Sequence, residues 1–253
     1  MRSSFSLLVM IFASLAIACA PAKTTVHPDA GYDHNAPPLP DDPGHDSSEA
    51  PTPDRDAATI ESSGFAIPNL TANQRSQILA KYNFVDPGKT IRSAILQNAL
   101  LYFETNKSKI KNVNYLSVVD FSLPSNKVRF HVIDMRTGVV WSLHVAHGKG
   151  SDSNNDGYAD RFSNVSGSDA SSLGAYLTAE TYSGAHGFSL RLDGLSSTNS
   201  NVRSRAIVVH GATYVQDANV REGRSWGCLA VSMANRTKVI NMIKGGSIIY
   251  ASN

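Results

Sequence analysis

Cysteine is nearly absent from this chain: its 253 residues include only Cys19 and Cys228. Proteins that leave the reducing cytoplasm usually pair their cysteines or do without them. Because Cys19 ends an N-terminal stretch with the features of an export signal, Cys228 is the one thiol expected in the folded part of the mature protein. An unpaired thiol in an exported chain indicates either a reactive group or an intermolecular disulfide.

Runs of basic residues are also missing, and the chain contains no nucleic-acid recognition motif, so we predict no nucleic-acid partner. One apolar run, Leu7 to Ile17, follows the positive charge of Arg2. It has the length of a signal-peptide core and is too short to span a bilayer as a mature helix. We therefore predict that residues 1–19 are a signal peptide.

The end of this signal resembles a bacterial lipobox, in which the cysteine becomes the lipidated N-terminal residue. Ala16-Ile17-Ala18-Cys19 supplies the small residues and the cysteine. We predict lipidation of Cys19, which would anchor the protein to a membrane. The alternative is a plain secretory signal cut after Ala18, and both alternatives place the protein outside the cytoplasm.

Residues 20–60 differ in composition from the rest of the chain. They hold eight of its eleven prolines, and eight acidic residues against two basic ones. Such a stretch cannot bury enough apolar surface to offset its ordering entropy, which predicts a disordered Pro/Asp-rich tether. Its three histidines are irregularly spaced, so we predict no metal site there. Residues 61–253 carry twenty basic against thirteen acidic side chains, a balance that suits an anionic polymer as partner.

Helical spacing opens the folded part and strand patterns follow. Residues 71–82 predict a short helix, and Asp86-Pro87 predicts the N-cap of a second helix that ends near Lys109. Residues 61–112 are therefore assigned to an N-terminal helical segment, and residues 113–253 to a mostly β domain. Strands are predicted at residues 115–121, 128–135, 139–145, 173–181, 188–192, 206–210 and 247–251. Ser232 is the predicted cap of a short C-terminal helix, which makes the chain α+β overall.

The strongest chemical pattern joins Cys228 to His210, which ends an apolar strand. Only a thiolate attacks efficiently, and a histidine brought near a cysteine is the minimum set for thiolate catalysis. Gly227 would let a substrate carbonyl come close, and the backbone N–H groups of Gly227 and Cys228 could stabilise an oxyanion. Taken alone, these residues also fit a small buried cysteine and a hydrogen-bonded core histidine.

Neighbouring residues suggest how a substrate could be held. Arg224 and Ser225 can orient the loop or bind a carboxylate, and Trp226 can form a pocket wall. His186 has glycines close on both sides, which indicates a tight turn that either lines the cleft or has no chemical role. Residues 152–157 match the opening of a calcium loop but lack the acidic residue at the twelfth position, so a polar surface loop is the favoured interpretation.

Two stretches carry a resemblance to a known family. Ile207-Val208-Val209-His210-Gly211-Ala212 followed by Ser225-Trp226-Gly227-Cys228 resembles the HG…S-x-G-C signature of the murein L,D-transpeptidases, which have the YkuD-type fold. Further segments between residues 145 and 194 resemble the Gram-negative branch of that family. The resemblance covers roughly residues 90–251.

The resemblance implies a YkuD-like β-sandwich or barrel that works as a cysteine acyltransferase on peptidoglycan. Cys228 would attack the bond between the L-centre of stem residue three and D-Ala four, and His210 would protonate the leaving D-Ala. An amine of a second stem would then take the thioester and form a 3–3 crosslink. The expected partners are tetrapeptide stems, the expected location is the periplasm or an outer-membrane lipoprotein facing the cell wall, and no metal or organic cofactor is implied.

By the same matching, Ser225 and Gly227 belong to the catalytic loop of Cys228, and His210 is the catalytic partner. From residue chemistry and position in the sequence, the candidate substrate-binding residues are Arg224, Trp226, Gly211, His186 and Arg191. One position departs from the family pattern, because commoner members carry an arginine where this chain has Ala230. Arg224, Arg191 and Arg205 are the candidates to replace it.

Three functions remain open at this stage. The first is L,D-transpeptidation, and the second is hydrolysis of the same stems by an L,D-carboxypeptidase. The third is a peptidoglycan-binding lipoprotein without catalytic activity. Papain-type and NlpC-type peptidases usually place the cysteine before the histidine, and the Thr-Leu-x-Thr-Cys context of sortases is missing, which argues against both.

Overall fold

The computed structural model describes residues 40–42 and 64–253. The predicted signal peptide, the predicted lipidation site Cys19 and most of the predicted tether lie outside these residues. Within the described ranges, no helix has both the length and the apolar character needed to cross a bilayer.

Two helices precede the sheet. The first, α1 (Ala72–Ala80), confirms the helix predicted there and begins with a capping box between Thr71 and Gln74. The second, α2 (Ser93–Asn106), begins later than predicted. The Asp86 prediction was wrong because that residue adopts a positive φ of 53° and its carboxylate closes a turn, accepting the backbone N–H groups of Thr90 and Ile91.

Eight strands form one sheet. They are β1 (Tyr115–Asp120), β2 (Phe130–Asp134), β3 (Val140–Leu143), β4 (Gly174–Gly184), β5 (Gly187–Gly194), β6 (Val208–Ala212), β7 (Leu229–Ser232) and β8 (Ile248–Ser252). The order across the sheet is β3-β2-β1-β8-β4-β5-β6-β7. The β1–β8 and β6–β7 pairs are parallel and the others antiparallel. The mostly β, α+β prediction is confirmed, and β7 is a strand that the sequence patterns did not predict.

Both faces of the sheet are covered. Val118 and Val119, successive residues of β1, belong to different core clusters, because neighbouring side chains on a strand point to opposite faces. One cluster includes residues of α2, and the other includes residues of the helix α3 (Met233–Ile243), which Ser232 caps as predicted. The two apolar layers fix the positions of the strand ends that carry the site.

Two strand histidines differ from expectation as a consequence. His131 and His144 alternate with apolar residues, which predicts solvent-facing side chains, yet they are only 2% and 8% exposed. That prediction was wrong because the sheet has no solvated face at this point. Both rings are hydrogen-bonded: Nδ1 of His131 lies 2.8 Å from Ser142 Oγ, and Nε2 of His144 lies 3.2 Å from the Asn126 carbonyl.

The parallel β6–β7 pair brings the two predicted catalytic residues to one region. In its register, Val209 is opposite Leu229 and His210 is opposite Ala230. Cys228 directly precedes β7, so it lies at the start of the strand that neighbours His210.

Candidate active site

The turn before Cys228 is held by a serine hydroxyl. Ser225 Oγ accepts the backbone N–H of Gly227 at 3.1 Å and donates to the Cys228 carbonyl at 2.8 Å. The Ser225 main chain is in turn bonded to His147 and Lys149. Gly227 has φ of +114°, and a Cβ there would lie 2.8 Å from the Ala170 carbonyl oxygen, so only glycine fits without strain.

This arrangement corrects one expectation about the oxyanion. The N–H of Gly227 points at Ser225 Oγ and is therefore not available to a substrate oxygen. Cys228 is half-buried and forms no disulfide within the described residues, and its Sγ donates to the Ala206 carbonyl at 3.7 Å. The sulfur thus lies on a tight turn, with its proton directed at a backbone acceptor.

The imidazole of His210 is fully buried and neutral. Burial, together with the nearby His186 ring, lowers the pKa of His210 to about 3. Its Nδ1 lies 3.0 Å from the Gly211 carbonyl, an acceptor that places the ring proton on Nδ1. Nε2 then carries the lone pair, and it has no hydrogen-bond partner among the described residues. Nε2 is therefore the ring nitrogen that could accept a proton.

His186 lies directly on the His210 ring. The two ring centroids are 4.0 Å apart and the planes are inclined by 25°. Ligand atoms of His186, His210 and Asp42 fall within 4.8 Å of one another, which is close enough to consider a metal ion. However, the lone pairs of two stacked imidazoles lie in nearly parallel planes and do not converge on one point. The two rings are therefore arranged for stacking and not for binding one metal ion.

A buried chain of polar groups supports the turn from below. Arg129 donates from Nη2 to His147 Nδ1 at 2.8 Å, and His147 Nε2–H donates to Asp152 at 3.2 Å. Burial lowers the pKa of His147 to about 4. Burial alone would raise the pKa of Asp152, but hydrogen bonds from His147 and from the Gly157 N–H hold it below its usual value.

Sequence reasoning missed most of this chain of groups. Arg129 is absent from the predicted site residues. The signal that indicates it is its place within an apolar strand pattern, because a charged side chain in such a pattern is buried only when it is paired. Asp152 was weighed only as a calcium ligand. Its two carboxylate oxygens instead accept the N–H groups of Asp156 and Gly157 and contact His147, so they serve the protein's own hydrogen bonding.

The three candidate arginines occupy different positions. Arg191 lies 3.6 Å from Glu180 and 4.1 Å from the Tyr182 ring centroid. Arg205 donates to the Ala170 and Ser163 carbonyls and so braces the loop beneath the catalytic turn. Its guanidinium is close enough to Cys228 for the two charges to attract when the sulfur is ionised.

Arg224 directly precedes the catalytic turn. Its Nη1 donates to the Asp152 carbonyl, and its Nε and Nη2 donate to the carboxylate of Asp41 at 3.0 and 2.7 Å. The Lys149 ammonium lies over the Trp226 ring, 3.4 Å from its centroid, in a cation–π contact. The two side chains form a cationic and aromatic rim beside Arg224.

Gly211 acts through its backbone. Its carbonyl accepts from His210, and its α-carbon packs against Arg236 and Met233 of α3. The structure also contains a cavity of about 300 Å³ between Lys109, Leu177, Asp193, Arg203 and Gly246 among others. None of the predicted site residues lines that cavity.

Fold and site together define a mostly β protein in which a thiol on a tight turn lies at the start of one strand, and the parallel strand beside it carries a neutral, buried imidazole. Over residues 88–252 the chain matches the family model of the L,D-transpeptidase catalytic domain. Since this match spans well over half of the sequence, the chain belongs to the L,D-transpeptidase catalytic domain family. A search among curated proteins gave no match.

Solved structures of L,D-transpeptidases are similar at low identity. The L,D-transpeptidase from Mycobacterium smegmatis is 14% identical with a TM-score of 0.35, over 55% of this chain and 59% of that one. L,D-transpeptidase 1 of Mycobacterium tuberculosis is 15% identical with a TM-score of 0.32, over 55% and 62%. An L,D-transpeptidase from Stackebrandtia nassauensis is 12% identical with a TM-score of 0.34, over 77% and 88%. The chain therefore spans less than two thirds of the length of the first two.

Proposed function

We propose that this protein is a cell-envelope cysteine acyltransferase that carries out L,D-transpeptidation on peptidoglycan stem peptides. The observation that carries the proposal is the arrangement of two side chains. Cys228 follows a turn that Ser225 closes by hydrogen bonds, and it lies next to the strand of His210. Nε2 of His210 carries no proton and has no hydrogen-bond partner among the described residues. Family membership supplies the substrate class.

The proposed reaction uses His210 as base and then as acid. Nε2 takes the proton of the Cys228 thiol, and the sulfur attacks the carbonyl carbon of the L-centre at stem residue three. The carbon–nitrogen bond to D-Ala four breaks, and His210 returns the proton to the departing amine. An acceptor amine then attacks the thioester, passes its proton to His210, and leaves as a new amide while the thiol is restored.

Electrostatics around the sulfur set what this sequence requires. With a pKa of about 3, His210 is neutral near pH 7 and its Nε2 holds a lone pair, but the same low pKa makes Nε2 a weak acceptor for the thiol proton. Such a weak base needs the thiolate to be stabilised by other groups, and the positive charge of Arg205 attracts the ionised sulfur. The burial of Arg205 limits screening of that attraction by solvent.

Purified tetrapeptide muropeptides test the proposal directly. We expect the wild-type protein to release D-Ala and form a 3–3 dimer, both measured by mass spectrometry. Cys228→Ala should form neither product while keeping its melting temperature, because one half-buried sulfur is lost and no backbone contact changes. Turnover by Cys228→Ala would contradict the mechanism. If the wild-type protein produced tripeptide but no dimer, the protein would be the alternative hydrolase, in which water takes the acyl group from the same acyl-enzyme.

We further propose that the enzyme is exported and anchored by a lipid on Cys19, with residues 20–60 tethering it near the wall. The support is the lipobox-like end of the signal and the composition of the tether. Growth with labelled palmitate should label the wild type and leave Cys19→Ser unlabelled. Equal labelling of the two proteins, or none of the wild type, would leave an exported enzyme without this anchor.

A further inference from the structure

Two carboxylates from the predicted tether lie against the catalytic turn. Asp41 and Asp42, which we call the acidic pair, belong to the short described segment of residues 40–42. The Asp41 carboxylate accepts a hydrogen bond from the backbone N–H of Arg224 at 3.1 Å. It also accepts from Nε and Nη2 of the Arg224 guanidinium, at 3.0 and 2.7 Å. The main chain adds a fourth contact, from the Asp42 N–H to the Arg224 carbonyl at 2.9 Å.

Asp42 extends this contact towards the imidazole pair. Its carboxylate accepts from the Tyr214 hydroxyl at 3.3 Å and lies 4.0 Å from Nε2 of His186. Since His186 is stacked on His210, the second carboxylate covers the same end of the site as the proposed base. The Asp42 side chain is only 4% exposed, so it is held in the site and does not extend into solvent.

The site is shaped to receive this backbone. A Cβ on Gly223 would lie 2.2 Å from the Pro40 carbonyl oxygen and 2.8 Å from Cβ of Tyr214. The missing side chain therefore makes room for an extended peptide to pass beside Arg224. A guanidinium fork gripping a carboxylate with two parallel hydrogen bonds is the geometry in which arginine recognises carboxylates most strongly.

The charges agree with a carboxylate-binding role. Burial alone would raise the pKa of Asp41, but hydrogen bonds and charge from Arg224, with a further contribution from Lys149, hold it below its usual value. The same hydrogen bonds raise the pKa of Arg224. Asp41 therefore stays ionised and bound to Arg224 near neutral pH.

We propose that Arg224, with its own N–H and the neighbouring Tyr214 and His186, forms a carboxylate-binding subsite, and that the acidic pair is an internal ligand which a substrate carboxylate displaces. This inference rests on the proposed function, in which the stem ends in the free carboxylate of D-Ala beside the bond to be broken. The subsite would hold that carboxylate, and it assigns to Arg224 the place of the arginine missing at Ala230.

A tethered ligand competes strongly because it is always present. A ligand that belongs to the same chain acts at an effective concentration in the millimolar range, as an order of magnitude. Displacement exchanges one charge-assisted carboxylate–arginine contact for another, so the net cost is small compared with the strength of either contact. The acidic pair thus raises the apparent Kd of the stem without blocking the site permanently.

The test measures binding in the absence of turnover. In a full-length Cys228→Ala background, isothermal titration calorimetry would follow a tetrapeptide stem and the same stem with its C-terminus amidated. Replacing the acidic pair, Asp41→Asn with Asp42→Asn, should lower the Kd of the free-acid stem by about tenfold, the worth of about one charge-assisted hydrogen bond. The amidated stem should gain much less.

Two further variants complete the design. Asp54→Asn with Asp56→Asn removes the same charge from the same predicted tether, and its Kd should equal that of the parent. Adding Arg224→Gln to the acidic-pair variant should abolish the preference for the free acid, while unchanged melting temperatures exclude misfolding. Equal Kd values for the parent and the acidic-pair variant, or a free-acid preference that survives Arg224→Gln, would overturn the subsite.

Binding and catalysis fail separately in this design. If wild-type protein turns over muropeptides but the acidic-pair variant binds no better, the subsite is wrong and the proposed function stands. If the acidic-pair variant binds the free-acid stem through Arg224 but the wild type with its thiol intact gives no product, the subsite stands as a stem-binding site and the transfer reaction is wrong.

Discussion

Ser225 shows how one hydroxyl can determine the geometry of a reactive turn. By accepting from Gly227 and donating to the Cys228 carbonyl, it closes the turn without contributing charge. The sequence motif correctly indicated that serine, glycine and cysteine act together. It could not reveal that the serine takes up the glycine N–H, because that depends on a positive φ at Gly227 that no spacing encodes.

A carbapenem tests the pair of residues at this scale. Its strained amide acylates an activated thiolate readily, so we expect wild-type protein to gain the mass of one carbapenem at Cys228. Intact-protein mass spectrometry measures this mass gain. Cys228→Ala should gain none. His210→Ala should acylate more slowly by about a hundredfold or more, the usual contribution of a positioned base.

His144→Ala is the matched control, because it removes another buried imidazole, whose ring nitrogen is hydrogen-bonded to the Asn126 carbonyl outside the predicted site. It should acylate at the wild-type rate. Equal rates for His210→Ala and His144→Ala would remove His210 from the mechanism and leave the sulfur to be activated by other groups, with Arg205 the first to examine.

Secondary-structure elements were predictable where their pattern was local. Short β-type runs bounded by turns predicted seven of the eight strands, and each of the seven contributes buried apolar residues to the core clusters. The strand β7 (Leu229 to Ser232) was missed because no turn separates it from the helix that Ser232 caps. Its parallel pairing with β6 is nevertheless what brings Cys228 beside the strand of His210.

Contacts between distant segments were beyond the reach of the sequence. His147 and Asp152 are five residues apart, but the arginine that completes their chain, Arg129, directly precedes β2, 18 residues before His147. The contact between Asp41 and Arg224 joins positions 183 residues apart. Composition correctly marks the first of these as part of a polar, acidic stretch, and nothing in the local pattern says where its carboxylate will bind.

The whole molecule should lose stability in mild acid because several histidines are buried as neutral rings. Burial lowers the pKa values of His131 and His147 to about 4 and that of His210 to about 3. Unfolded histidines bind protons below about pH 6.5, whereas these three do not, so the free energy of unfolding falls as the pH drops from about 6.5 towards 4. Each contributes up to about 1.4 kcal/mol per pH unit.

Glu222 acts in the opposite direction over part of this range. Burial raises the pKa of Glu222 to about 8, so the folded state keeps a proton that the unfolded state loses above about pH 4.5. Between these values the free energy of unfolding therefore rises as the pH falls, which offsets the loss due to about one of the buried histidines. Urea denaturation between pH 7 and pH 5 measures the net slope. His131→Asn keeps a group able to bond Ser142 and should flatten that slope, while an unchanged slope would contradict the assignment.

The position of β8 has a consequence for how the protein is made. This strand follows all the others in the chain, yet it lies between β1 and β4 in the middle of the sheet. Until it has been synthesised, three strands on one side and four on the other have no common neighbour, and a ribosome-bound chain cannot complete its core. Pairings over such long sequence separations form slowly. A polypeptide that cannot close its sheet until β8 has been made stays open for longer during synthesis, which suits the export through a translocon proposed above.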